Sequence, residues 1–132
     1  MGTVITFGTF DVFHIGHLNL LNRARTLGDR LVVGVSSDRL NQQKKARTPI
    51  YHEQARLHIV AALKCVDAVF LEQALELKRA YIQQHQASTL VMGDDWQGRF
   101  DDLSDMCQVI YLPRTPSVST TYFIEVAGSL LK

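Results

Sequence analysis

His14 and His17, three residues apart in the stretch FGTFDVFHIGH that begins at Phe7, are the side chains of this sequence best suited to chemistry. Residues at that spacing share one face of a helix. Behind them Leu18, Leu20, Leu21, Ala24 and Leu27 recur at helical spacing, so both imidazoles fall at a helix start and can address one object. The unpaired N–H groups and positive end of a helix N-terminus make that object an anion, and Gly16, with no side chain, lets a phosphate come close to the backbone. The same pair also suits metal ligation together with Asp11, or plain satisfaction as polar groups at a helix cap. A second anion site is read from residues 114–121, RTPSVSTT. There Ser119, Thr120 and Thr121 precede another helix with its free N–H groups, and Arg114 supplies a planar fork. An ordinary serine cap accounts for Ser119 but not for the arginine and the neighbouring hydroxyls. Lys44 and Lys45 are either solvated charges or point charges for a phosphate, and Asp94 offers a hard oxygen to Mg2+ or a contact to a ribose.

The elements that must position these residues follow from periodicity. A strand is predicted over 4–7, with β-branched Val4 and Ile5, and a helix over 15–27 with Gly28 as its stop. The run RLVVGVS over 30–36 is continuously apolar after its arginine, as in a parallel strand buried on both faces. Ser37 and Asp38 then turn the chain, and the polar, proline-closed segment NQQKKARTP over 41–49 reads as a long loop. A helix over 51–63, a strand over 67–71, a helix over 75–85 and a strand over 89–92 come next. A turn over 93–96, a short helical turn over 100–105, a strand over 108–112 and a helix over 119–131 complete the chain. Strands alternating with helices predict an α/β fold: one Rossmann-like domain spanning 1–132, a parallel sheet with helices on both faces. The first βα turn lacks G-x-G-x-x-G, which disfavours dinucleotide binding.

Composition narrows the partners. The 132 residues are 46% apolar and 20% charged, ordinary for one globular domain. A net charge of +1 provides no global field toward nucleic acid or an anionic membrane, so neither is expected as a partner, and anion binding must be local. Cys65 and Cys107 are too few for a disulfide framework and read as reduced thiols. The N-terminal sequence has no basic segment ahead of a long apolar run, and no stretch approaches the ~18 apolar residues of a membrane span. The expected location is the cytoplasm.

The motif T-F-D-x-x-H-x-G-H, directly after a first strand, resembles the signature of the nucleotidyltransferase superfamily, and within it the bacterial glycerol-3-phosphate cytidylyltransferases. The likeness runs through residues 8–17, 27–38, 92–100 and 114–121. It implies a five-stranded parallel sheet of order 3-2-1-4-5, with a cleft at the switch point between strands one and four. It implies transfer of CMP from CTP to glycerol 3-phosphate, giving CDP-glycerol and pyrophosphate for a cell-envelope or capsule polymer. Nucleotide binding then falls on Gly8, Thr9, Phe10, Asp11, His14, Gly16 and His17, on Met92, Gly93, Asp94 and Trp96 beside the cytosine, and on Arg114, Ser119, Thr120 and Thr121. His14, His17, Lys44 and Arg114 are the expected catalytic residues. Lys44 is also expected near the acceptor, with Arg56, whose other reading is a charge on a helix surface. Mg2+ is the implied cofactor, carried by the triphosphate and taking at most Asp94 or Asp11 from the chain, although Asp11 could equally orient a histidine or lysine. A homodimer is implied, with the helix over 51–63 and the turn at 64–67 as candidate contact. Competing readings are another phosphomonoester acceptor (phosphoethanolamine, phosphocholine, a sugar or heptose phosphate), ATP as donor, or a nucleotide sensor that performs no reaction.

Overall fold

The structure, a computed structural model, describes residues 2–116 and 119–130, and at Lys45 the backbone alone. Met1, Ser117, Val118, Leu131, Lys132 and the Lys45 side chain lie outside the described residues, so those parts of the 114–121 motif, the last helix and the lysine pair are not described. Five strands, β1 (Thr3–Gly8), β2 (Arg30–Ser36), β3 (Ala68–Glu72), β4 (Ala87–Gly93) and β5 (Gln108–Leu112), form one parallel sheet in the order β3-β2-β1-β4-β5. The helices are α1 (Ile15–Arg25), α2 (Asp38–Lys45), α3 (Glu53–Ala61), α4 (Lys78–Gln84) and α5 (Thr120–Leu130), with short 3-10 turns at Leu75–Leu77, Asp94–Trp96 and Asp101–Asp105. Among the described residues no helix is long and apolar enough to cross a membrane.

Strand side chains alternate between the two faces, and each face has its own core. Val4, Leu31, Val33, Val35 and Val91 pack with Leu21 and Ala24 of α1 and Val60 of α3. Ile5, Phe7, Leu90 and Met92 pack on the opposite face with Ile82 of α4 and Leu103. The sheet is therefore covered twice, which is why β2 is buried from Leu31 to Ser36 and reads as an unbroken apolar run.

Three expectations need correction. The long loop over 41–49 is largely helix: α2 runs from Asp38 to Lys45, capped by Ser37, whose Oγ accepts from the Leu40 N–H, and ended by Ala46 in the left-handed conformation at φ 57°. Gln and Lys are good helix formers, and the buried Asn41 ties the helix down by donating to the carbonyls of Ser36 and Ser37. The helix over 75–85 splits into the Leu75–Leu77 turn and α4. Gly28 does not stop α1, which already ends at the αR cap Thr26. A Cβ at Gly28 would lie 2.5 Å from the Gly2 carbonyl oxygen and 2.8 Å from Val4 Cγ2, so the glycine answers to close backbone approach. Gly28→Ala is expected to destabilise the protein by about 1–3 kcal/mol, read as a lower urea midpoint at constant slope; unchanged stability would contradict this packing account.

Candidate active site

The site is built from the turn between β1 and α1. Phe10 and Val12 there hold φ of 54° and 46°, a region costly for a β-branched valine. Side chains from three directions hold the turn. The Asp11 carboxylate, 9% exposed, accepts from the N–H groups of Ile50 (2.7 Å), Tyr51 (2.8 Å) and Val12 (3.1 Å). Arg56 of α3, with no exposed surface, donates to the carbonyls of Thr9 (2.9 Å), Ser36 (2.6 Å) and Tyr51 (3.0 Å) and to Asp38 Oδ1 (2.7 Å). Thr120 of α5 donates its hydroxyl to the Asp11 carbonyl at 2.8 Å. At Gly8 a Cβ would meet the Phe10 ring at 2.9 Å, so a glycine is needed where that ring folds back on the strand end.

This turn delivers His14 to the N-cap of α1 in extended conformation. His14 Nδ1 accepts from the Gly16 N–H at 3.0 Å, and His17 Nδ1 accepts from the His14 N–H at 3.2 Å. A backbone N–H can only donate, so both Nδ1 atoms are unprotonated acceptors and each neutral ring carries its proton on Nε2. The two rings stack with centroids 3.8 Å apart, while Phe10 and Phe13 wall in His17 at 5.5 and 5.2 Å. Burial, and secondarily His14, push the His17 pKa down to about 3; burial and then Arg114 lower that of His14. The pair is thus a neutral donor pair at physiological pH. The cap reading and the anion reading of these histidines coexist, because Nδ1 serves the cap and Nε2–H is left over. The N–H of Gly16, the residue expected to let a phosphate come close to the backbone, is consumed by the cap.

Both rings line a cavity of about 340 Å³ at the carboxyl ends of the strands, where β1 and β4 diverge. Of the residues expected from sequence, all but Arg56 and Asp94 line it. Arg56 lies beneath the site, neither a surface charge nor turned to the cavity. Asp94 is exposed and borders a neighbouring groove with Arg114 and Ser119. Asp11 reaches the cavity, but its two oxygens already serve three N–H groups, which fits an anchor of the turn and not a metal ligand. Lys44 projects from α2, its Nζ 3.4 Å from Ser36 Oγ. At the β5 side, Arg114 Nη1 pairs with Asp95 Oδ2 at 3.0 Å, and Ser119 Oγ accepts from the Tyr122 N–H as the α5 cap. Thr120 donates its proton to Asp11, so among the described residues of the motif Thr115, Ser119 and Thr121 keep hydroxyl protons to donate. Among the described residues no three His, Cys, Asp or Glu side chains gather as a metal cage.

Sequence reasoning missed Asp95, Glu72 and Lys78, all on the cavity wall. Asp95 sits next to a residue that was singled out. Glu72 is the polar residue directly behind an apolar strand, a signal that was available. Lys78 gave none, because a lysine in an amphipathic helix reads as solvated.

A family model described as cytidylyltransferase-like matches residues 5–126 of this chain. The glycerol-3-phosphate cytidylyltransferase of Bacillus subtilis is 47% identical over 129 residues, covering 97% of this chain and 99% of the relative. That of Staphylococcus aureus is 42% identical over 121 residues, covering 92% and 91%. In structure, a lipopolysaccharide core biosynthesis protein from Thermoplasma volcanium superposes with a TM-score of 0.73 at 24% identity, over 87% of this chain and 98% of that one, a likeness of fold. Since the match spans all five strands, the histidine turn and the Arg114 segment alike, the chain belongs to the cytidylyltransferase-like family.

Proposed function

We propose that the protein transfers CMP from CTP to glycerol 3-phosphate, releasing pyrophosphate and CDP-glycerol. The observation that carries the proposal is the stacked His14–His17 pair, held with both Nδ1 atoms on the backbone and both Nε2–H groups to spare in a cavity at the switch point. An acceptor phosphate oxygen is already ionised at neutral pH, so the reaction needs no general base. That oxygen forms a bond to the α-phosphorus, and the bond from phosphorus to the oxygen bridging toward the β-phosphate breaks. Negative charge grows on the α-phosphate and on the leaving pyrophosphate, and donors fixed in advance stabilise it. Neutral imidazoles suit this role, because a ring protonated only near pH 3 gives hydrogen bonds without passing a proton on.

Arg114 and the α5 N-terminus with Ser119 and Thr121 are assigned to the β- and γ-phosphates, the triphosphate displacing Asp95 from Arg114. With Arg56 committed beneath the site, Lys44 is the residue assigned to the acceptor's phosphate. The Met92–Gly93 strand end and Trp96, whose ring lies 5.6 Å from that of Phe100, are assigned to the cytosine side. Mg2+ is assigned to the triphosphate and its water, with Asp94 as the carboxylate at hand; when bound, it offsets repulsion between CTP and the acceptor. We further assign the protein to the cytoplasm, where Cys65 and Cys107 remain free thiols, and to a homodimer formed through α3, which exposes Ile59, and the turn at 64–67.

The deciding experiment offers the four nucleoside triphosphates against a panel of phosphomonoesters and follows pyrophosphate release; the expected productive pair is CTP with glycerol 3-phosphate, and nucleotide binding without release under any pair would leave only a sensor. His14→Ala and His17→Ala are each expected to lower kcat by about 10²-fold or more in a folded protein. In ¹⁵N spectra His17 should keep Nε2–H, with Nδ1 bare, as pH falls through its ordinary value of 6.5. The unfolded chain takes up a proton there and the native one only near 3, so this histidine's contribution to stability is complete above 6.5 and fades as pH falls toward 3. An imidazolium at His17 near neutrality would refute the donor role. Excess chelator should stop turnover, and light scattering should return a dimer mass at micromolar protein.

A further inference from the structure

Arg114 lies between Leu112, the last residue of β5, and Thr120, the first of α5. Two side chains of α1 reach across to the residues on either side of it. Asn19 Nδ2 donates to Thr115 Oγ1 at 3.0 Å, and Arg23 Nη1 donates to the Pro113 carbonyl at 3.0 Å. Asn19 and Arg23 are four residues apart, hence on one face of the helix and about 6 Å apart along its axis. Pro113 and Thr115 are two residues apart, a step of about 7 Å at full extension. The two spacings agree, so Arg114 is held between two anchors on one helix. Among the described residues the remaining side-chain hydrogen bond or ion pair at 113–116 is that of Arg114 with Asp95.

We infer that Asn19 and Arg23 are positioning residues for the triphosphate: through Thr115 and Pro113 they set where Arg114 stands relative to the histidine pair; this rests on the assignment of Arg114 to the β- and γ-phosphates. α1 is a firm support for that task, since Leu21 and Ala24 are fully buried against the sheet. Its N-cap and first turn carry His14 and His17, and Asn19 and Arg23 follow one to two turns further along. One helix thus spaces the imidazoles assigned to the α-phosphate from the guanidinium assigned to the rest of the chain of phosphates. The charge of Arg114 is felt at His14, whose pKa it lowers second to burial. A hydrogen bond at the surface replaces one to water and adds little to stability, so the effect of exposed Arg23 and half-buried Asn19 is on position. The two bonds count most when substrate enters. Once the triphosphate has displaced Asp95, they are what ties the segment to the body of the fold. Thr115 accepts from Asn19 and so keeps its own hydroxyl proton to donate.

The test measures CTP and CMP affinity by calorimetry at fixed Mg2+ for the wild type, Asn19→Ala, Arg23→Gln, Arg114→Ala, and each α1 substitution combined with Arg114→Ala. CMP lacks the β- and γ-phosphates and so reads the integrity of the rest of the site. Asn19→Ala and Arg23→Gln should each weaken CTP binding by ~3–10-fold while CMP binding holds. With Arg114→Ala already present, neither should weaken CTP binding by more than about twofold, because the group through which they act is gone. Arg23→Lys, which can still donate to the Pro113 carbonyl, should recover part of the loss. Equal losses for CTP and CMP, full losses that persist without Arg114, or an Arg114→Ala variant that binds CTP as the wild type does would each overturn the inference. Pyrophosphate release from CTP and glycerol 3-phosphate is scored separately: a wild type that releases none overturns CMP transfer, and the two affinities still decide the role of Asn19 and Arg23. Arg23 is exposed, so its substitution carries the test should Asn19→Ala fail to fold.

Discussion

The carboxylate of Asp11 is the interaction on which the site depends. Two residues in the turn it anchors, Phe10 and Val12, hold positive φ, each at an intrinsic cost of about 1–3 kcal/mol. Such a turn persists only when its surroundings over-determine it. Three N–H groups on one carboxylate, the Arg56 guanidinium on the Thr9 carbonyl and the Thr120 hydroxyl on the Asp11 carbonyl supply that over-determination. These ties come from the segment before α3, from α3 itself and from α5. The consequence is directional: the strained turn ends with His14 extended at the N-cap, where the reciprocal cap with His17 becomes possible.

Arg56 extends the same logic across the sheet. Through Ser36 and Asp38 it joins the end of β2 to the start of α2, and Asp38 and Glu53 exchange backbone N–H contacts between the starts of α2 and α3. Lys44 is thereby presented from a helix with a fixed N-terminus. Removing one partner of a buried charge pair typically costs about 3–5 kcal/mol, so Arg56 is bound to the fold as firmly as any apolar core residue. Charge in this protein is accordingly sorted by depth. Asp11 is held by three backbone N–H groups and Arg56 by three carbonyls and the Asp38 carboxylate, whereas Arg114 and Asp95 pair at the mouth, each about half exposed, where an exposed pair is worth little and an entering polyanion can exchange one partner for another.

The histidine pair shows how local and tertiary effects combine. Spacing alone brings the rings to one face, but the cap fixes their tautomer, and the walls of Phe10, Phe13 and Phe123 remove the water that would favour an imidazolium. A helix N-terminus that spends one of its N–H groups on its own histidine is less of an anion site by itself. It is more of a frame that turns two imidazoles into donors.

By itself the sequence determined the alternation of strands and helices, the limits of β2 and β5, the histidine pair and the Arg114 segment, because periodicity, β-branching and motif spacing are local properties. The strand order and the role of CTP came from resemblance to a family, since neither pairing order nor base choice is written in any local pattern. The tertiary structure decided what depends on a distant partner. Residues 41–45, where composition suggested the start of a loop, are helix because Ser37 caps the Leu40 N–H and Asn41 ties the helix to the carbonyls of Ser36 and Ser37. Gly28 answers to Gly2 just ahead of β1, Arg56 to the carbonyls of three separate segments, and Glu72 to a lysine six residues on that an amphipathic pattern marks as solvated. Burial of a charged side chain is set by the elements that close over it, and no spacing of residues along one element carries that information.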